Sequence, residues 1–160
     1  MTGTKPIKNR LEDMAQILDK TSWANDFSWE QILKLCRYFD YHEIVGGTVV
    51  FEQGSTEREM GVLISGVLSV LRTEGGQEFK LVQLRPPQTF GEIALIDGQP
   101  RSAKAVAVDD VVYLAIRKAQ LDKLVNDHPL IAYKLMWKIS LLLSQRLRQT
   151  SSKLVEYLDQ

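Results

Sequence analysis

Three zones follow one another along the chain, each with its own spacing of apolar residues. Residues 10–38 carry a helical period, with Leu11, Met14, Ala15 and Leu18 recurring on one face of a 3.6-residue turn. Ser28, followed by Gln31 three residues on, is a capping-box pattern and predicts a second helix start. The apolar face of that helix is Ile32, Leu33, Leu35 and Cys36. Trp23, Phe27 and Trp29 lie between the two and are expected to pin them to the body. Residues 41–116 change character. Short β-prone runs (EIVGGTVVFEQGS, GVLISGVLSVLR, FKLVQLRP, SAKAVAVDD, VVYLAI) are punctuated by Gly46-Gly47, Gly54, Gly66 and Gly75-Gly76, at turns where positive φ is cheap for glycine. Strands this short and this close predict a sandwich or barrel rather than βαβ units.

Residues 117–160 return to the helical period. A short helix fits residues 118–125, and Asp127-His128-Pro129 then reads as a cap with proline in the first turn of a long helix. Along that helix Met136, Ser140, Leu143, Leu147, Thr150, Leu154 and Tyr157 recur at spacings of four and three, a heptad seam of about three repeats. Ser140 and Thr150 interrupt it, and Leu141, Leu142 and Leu158 widen the apolar face. Two readings stay open for the seam: a homodimer along its C-terminal half, or packing back onto the roll. The predicted fold is α+β, an antiparallel, jelly-roll-like β-roll of about eight strands. Residues 1–40 form its N-terminal helical segment, 41–116 the roll, and 117–160 a hinge helix followed by the long C-terminal helix. No internal repeat or low-complexity linker divides the chain.

Composition narrows the chemistry. A chain of 160 residues with 44% apolar and 25% charged residues suits one domain with a core of its own. Twenty Lys/Arg balance twenty Asp/Glu, which argues against a protein whose main partner is nucleic acid or an anionic membrane. The single Cys36 excludes an internal disulfide and reads as a buried thiol. His42 and His128 stand far apart and read as surface or turn residues, so a multi-histidine metal barrel is disfavoured. The opening MTGTKPIKNR lacks the apolar run of a signal peptide, and no stretch approaches a membrane span; a cytoplasmic location is expected. There is no G-x-S-x-G elbow, P-loop or G-x-G-x-x-G, and no nucleophile-base pair or metal set, so the chain is not expected to be an enzyme or to need a cofactor.

The segment that carries chemistry is residues 90–103, FGEIALIDGQPRSA. A glycine allows close backbone approach, and a short helix-prone stretch follows. A Gly/Pro turn then sets an arginine where it can point back. Amides at a helix start favour an anion, and Arg101 adds a permanent charge with a planar fork suited to phosphate oxygens. Glu92, at the same end, would repel a multiply charged phosphate and is better used to accept a sugar hydroxyl. The pattern predicts a ligand with one phosphate charge and an adjacent ribose. Alternatively, Glu92 and Arg101 pair with each other and merely cap the roll.

This stretch resembles the phosphate-binding cassette of the cyclic nucleotide-binding domain family, whose diagnostic pattern FGE-[IL]-A-L, turn, PR-[SA]-A it carries without a gap. GGTVVFEQGS and MGVLISGVLSVL resemble the neighbouring strands of that family, and the likeness extends over about residues 30–155. The resemblance implies that Arg101 pairs with the exocyclic phosphate oxygens and that Glu92 accepts the ribose 2′-hydroxyl. It implies that the amides around Ile93, Ala94, Ser102 and Ala103 complete the cradle, and that Gly91 lets the sugar approach. Val62, Leu63, Val82 and Leu84 are candidates for the apolar wall of the base pocket.

In the family it resembles, a threonine after the cassette arginine goes with guanine preference; Ser102 at that position leans the resemblance towards cyclic AMP over cyclic GMP. In the family's transcription factors the long helix covers the base with a Thr-Ser pair, to which Thr150 and Ser151 correspond, about one helical turn late when counted from Pro129. An ungapped register would instead bring Arg146 and Leu147 there. Nothing corresponds to the helix-turn-helix domain of those factors, and residues 117–160 carry eight Lys/Arg against four Asp/Glu, better read as a solvated face. The expected role is a regulatory sensor module that relays occupancy through its C-terminal helix to an unknown downstream protein. An interaction module that keeps the roll without using the pocket is the other possibility.

Overall fold

The computed structural model describes residues 10–160. The first nine residues of the predicted 1–40 segment lie outside the described residues. Two N-terminal helices come first: α1 (Arg10–Asp19) and, after a short 3-10 turn, α2 (Trp29–Cys36). The capping box forms as the spacing requires, with Gln31 N donating to Ser28 Oγ at 3.2 Å and Ser28 N to Gln31 Oε1 at 3.1 Å. Met14, Ala15, Leu18, Ile32, Leu35 and Cys36 are buried, and Trp23 stacks on Phe27 inside the same cluster. Trp29 does not join them. It is the first residue of α2, on the turn that faces solvent, and is 41% exposed.

Eight strands follow: β1 (Asp40–Ile44), β2 (Val49–Phe51), β3 (Glu59–Ser65), β4 (Leu68–Glu74), β5 (Gln77–Leu84), β6 (Thr89–Phe90), β7 (Lys104–Ala107) and β8 (Val111–Arg117). They form two antiparallel four-stranded sheets, ordered β1-β8-β3-β6 and β2-β7-β4-β5. This is the expected α+β roll. One core cluster lies between the first sheet and the helices. A second, with Leu63, Leu68, Phe90, Tyr113 and Ala115, fills the roll. A short helix α3 (Glu92–Asp97) interrupts the strands after β6.

Two helices end the chain, α4 (Lys118–Asp127) and α5 (Pro129–Leu158). His128 is the non-helical junction between them and makes no side-chain cap. Asp127 is used elsewhere, accepting from Tyr38 Oη at 2.6 Å. The other histidine is half-buried and lies in a strand rather than a turn: His42 on β1 stacks on Tyr113 with ring centroids 4.7 Å apart and buries its Nε2 without a hydrogen-bond partner. The heptad seam divides. Met136 and Leu143 pack on the body beside buried Ile131, Ala132, Leu135 and Ile139, whereas Leu147, Leu154 and Tyr157 are exposed. Among the described residues no helix is long and apolar enough to cross a membrane.

Candidate functional site

The cassette is assembled by local backbone geometry. Gly91 adopts φ +79° at the start of α3, and a Cβ there would lie 2.5 Å from both Arg101 Nη1 and Glu59 O. Only glycine admits the close approach of strand, helix and guanidinium at this point. The first amides of α3 have no carbonyl partner within the helix. Arg101 is fixed through its main chain, with Arg101 N donating to Ser55 O at 2.8 Å and Gly54 N to Arg101 O at 2.7 Å. Its side chain is 7% exposed. Nη1 donates to Gly91 O at 3.2 Å and Nη2 to Glu59 O at 2.8 Å, and the guanidinium carbon sits 4.2 Å from the centroid of the Phe51 ring. Arg101 Nε is buried without a partner. Burial pushes the guanidinium below its ordinary pKa, partly opposed by the carboxylates of Glu59 and Glu57.

Glu92 is 1% exposed. It does not pair with Arg101. Its Oε1 accepts from Arg146 Nη1 of α5, whose Nη2 donates to Thr89 O at 2.9 Å. Burial also lowers the pKa of Arg146. Glu92 Oε2 remains buried with no hydrogen-bond partner. A carboxylate oxygen enclosed in this way, with an acceptor's capacity unused, is one that a ligand hydroxyl can satisfy.

These groups share one cavity of about 540 Å³. Gly91, Glu92, Ile93, Ala94, Arg101, Ser102 and Ala103 all line it, as do Val82 and Leu84 of β5. Two wall candidates do not. Val62 and Leu63 are fully buried in β3, a central strand paired on both edges, Val62 within the core cluster under the helices and Leu63 in that of the roll. Phe51 and Val70 take their place. Val70 is legible from register, since it pairs with Val82 across the β4–β5 ladder. Thr150 lines the cavity and Ser151 does not. At about 100° per residue, Ser151 falls roughly 140° round the helix from Arg146, outside the arc that faces the cavity. The inward face is Arg146, Gln149, Thr150 and Lys153, at spacings of three, four and seven from Arg146. Leu147, next to Arg146, is 68% exposed. Nothing in the local motif signals the Arg146 contact to Glu92; the ungapped register, which brings Arg146 to this end of the roll, is the sequence feature that points to it.

Residues 42–128 match the sequence profile of the Cyclic nucleotide-binding domain. The chain belongs to the cyclic nucleotide-binding domain family. The "Cyclic AMP receptor protein" of Thermus thermophilus is 35% identical over 126 residues, which is 78% of this chain and 56% of that protein. The crystal structure of the Thermus thermophilus catabolite activator protein superposes with a TM-score of 0.73 at 32% identity, over 84% of this chain and 62% of that one. A cyclic nucleotide-binding domain from Methylobacillus flagellatus shares the fold with a TM-score of 0.80, at 21% identity over 92% of this chain and 84% of the other. The chain spans about half the length of the curated relatives it matches. Among the described residues, no group of three or more His, Cys, Asp and Glu is arranged to hold a metal ion.

Proposed function

We propose that this domain is a sensor for cyclic AMP whose occupancy is relayed through α5. The observation that carries the reading is the pairing, inside one cavity, of an arginine poised for an anion with a buried carboxylate oxygen that has no partner. A 3′,5′-cyclic nucleotide supplies the complement: one phosphate charge for Arg101 and a ribose 2′-hydroxyl to donate to Glu92 Oε2. Arg146 stays on Oε1, so α5 and the sugar share one carboxylate. The base then lies against Val70, Val82 and Leu84, under Gln149 and Thr150 of α5. Thr150 Oγ1 already donates to Arg146 O at 2.9 Å, which leaves it as an acceptor and suits the amino group of adenine. Ser102 in place of threonine favours the same choice. The exposed apolar residues Leu147, Leu154, Val155 and Leu158 support a homodimer through the second half of α5.

Calorimetric titration of cyclic AMP and cyclic GMP, preceded by denaturation and mass analysis of any released small molecule, tests the reading. Each charge-assisted bond to Arg101 is worth about 1.5–3 kcal/mol. R101A should therefore lose micromolar binding. Unchanged affinity in R101A, or no heat with either nucleotide on protein shown to be ligand-free, refutes it. Light scattering on L147E tests the dimer: a wild type already monomeric excludes it.

A further inference from the structure

Three parts of the molecule meet at residues 58–59, at the start of β3. The Arg58 guanidinium leaves the strand and crosses to the far end of α3, where Nη2 donates to Leu95 O at 2.9 Å and to Ile96 O at 3.0 Å. Carbonyls at a helix C-terminus have no partner within the helix, and they carry the negative end of its dipole. A cation there satisfies both needs. The turn that ends α3 is shaped around it: Gly98 adopts φ +67°, and a Cβ there would lie 3.2 Å from the Arg58 guanidinium carbon. On the main chain, Lys118 N, the first residue of α4, donates to Arg58 O at 2.9 Å. The next carbonyl along, Glu59 O, is the one that accepts from Arg101 Nη2.

We propose that Arg58 is a positioning residue that holds α3 in register for phosphate and couples the cassette to the start of α4. The inference rests on the reading that α3 and Arg101 hold the cyclic phosphate. A helix of six residues is too short to be stable through its own hydrogen bonds, so its placement is set by what grips its two ends. Arg101 grips the first end through Gly91 O, and Arg58 grips the second. Because α3 is only about 9 Å long, a shift at its C-terminal carbonyls is felt at the amides that face the ligand. Recruitment of Arg101 by phosphate draws on the Glu59 carbonyl. The adjacent Arg58 carbonyl is the one that holds α4, so the strand start passes the change to the hinge helix.

The test compares wild type, R58A and R58K by calorimetry with cyclic AMP and by hydrogen exchange of residues 95–98 and 118–121, with and without nucleotide. R58A should bind about tenfold more weakly, the loss expected when one charge-assisted anchor is removed. It should also lose the nucleotide-induced change in exchange at 118–121. R58K, whose ammonium can still reach the last carbonyls of α3, should recover most of the affinity. If R58A fails to fold, R58Q takes its place, retaining a donor without the charge. A merely structural arginine would lower the melting temperature equally with and without nucleotide, leaving affinity and the exchange difference as in wild type; that result overturns the proposal. A wild type that responds to neither cyclic nucleotide overturns the reading beneath it instead.

Discussion

The contact between Arg146 and Glu92 can be broken without touching Arg101, and the structure sets the size of the effect. R146A removes a charge-assisted bond to Glu92 Oε1 and another to Thr89 O. It leaves the carboxylate of Glu92, 1% exposed, with no partner on either oxygen. Breaking a fully buried pair from one side costs roughly 3–5 kcal/mol. The Arg146 side chain is 34% exposed, so water reaches its half of the pair and the cost falls to about 2–3 kcal/mol. For a chain of this length each kcal/mol moves the melting temperature by about 2–4 °C, which predicts a fall of about 5–10 °C. E92Q alone should cost about 1 kcal/mol, because the freed arginine can turn to solvent. The double variant E92Q/R146A should then be less destabilised than the sum by about 1.5 kcal/mol, since it buries no lone charge. Urea unfolding followed by tryptophan fluorescence reads all four corners of the cycle, at constant denaturant slope. Additivity within about 0.5 kcal/mol would refute the claim that α5 is tied to the cassette through this carboxylate.

Other perturbations follow from single contacts. G91A forces a Cβ to within 2.5 Å of Arg101 Nη1 and Glu59 O at a backbone angle of +79°, so it should abolish nucleotide binding while the roll still folds by circular dichroism. F51L keeps an apolar side chain under Arg101 and loses the ring face, worth about 0.5–1 kcal/mol; a two- to fivefold weaker dissociation constant for cyclic AMP is expected by calorimetry. Burial pushes the Cys36 thiol from 9.0 up to about 12. The neutral thiol therefore favours the folded state below about pH 9, and this contribution is lost as pH rises from 9 to 12, where the unfolded chain ionises first. A thiol-reactive chromophore at pH 8 should label the protein only after denaturant is added.

The roll and the cassette are legible in the sequence because their determinants are local. The glycine, the acid, the turn and the arginine of the cassette lie within fourteen residues, so the motif can be read from one short stretch even though the partners of its side chains are remote. The helix starts are legible for the same reason, Ser28 and Pro129 being capping signals that tertiary packing does not override. The apolar walls are another matter. Val62 and Leu63 read as wall residues because they are apolar, but β3 has one face packed under the helices and the other inside the roll, and neither side chain lines the cavity. Phe51 and Val70 come from strands remote in sequence, and only the pairing of β4 with β5 and the closeness of β2 to the cassette bring them in. His42 illustrates the same limit. Nothing in its flanking residues reports the ring of Tyr113, 71 positions away, on which it stacks.

The C-terminal helix shows how a uniform period can conceal a division of labour. Its heptad positions run from Met136 to Tyr157, yet Met136 and Leu143 pack on the body whereas Leu147, Leu154 and Tyr157 face outward. Arg146 stands at the boundary. It is the last residue of α5 tied to the roll by its side chain among the contacts described, and its anchor is the carboxylate that the proposed ligand also engages. The stretch beyond it, to Leu158, is twelve residues, a rigid arm of about 18 Å. On the proposed reading, a small displacement of Arg146, as Glu92 accommodates a ribose hydroxyl, would become a larger displacement at the exposed apolar end. The position of one cation at that boundary is thus what would make the helix an output rather than a lid alone. R146A should accordingly uncouple nucleotide-induced changes in exchange beyond residue 147 while leaving the proposed phosphate contact of Arg101 in place. Undiminished coupling in that variant would move the origin of the relay to α4.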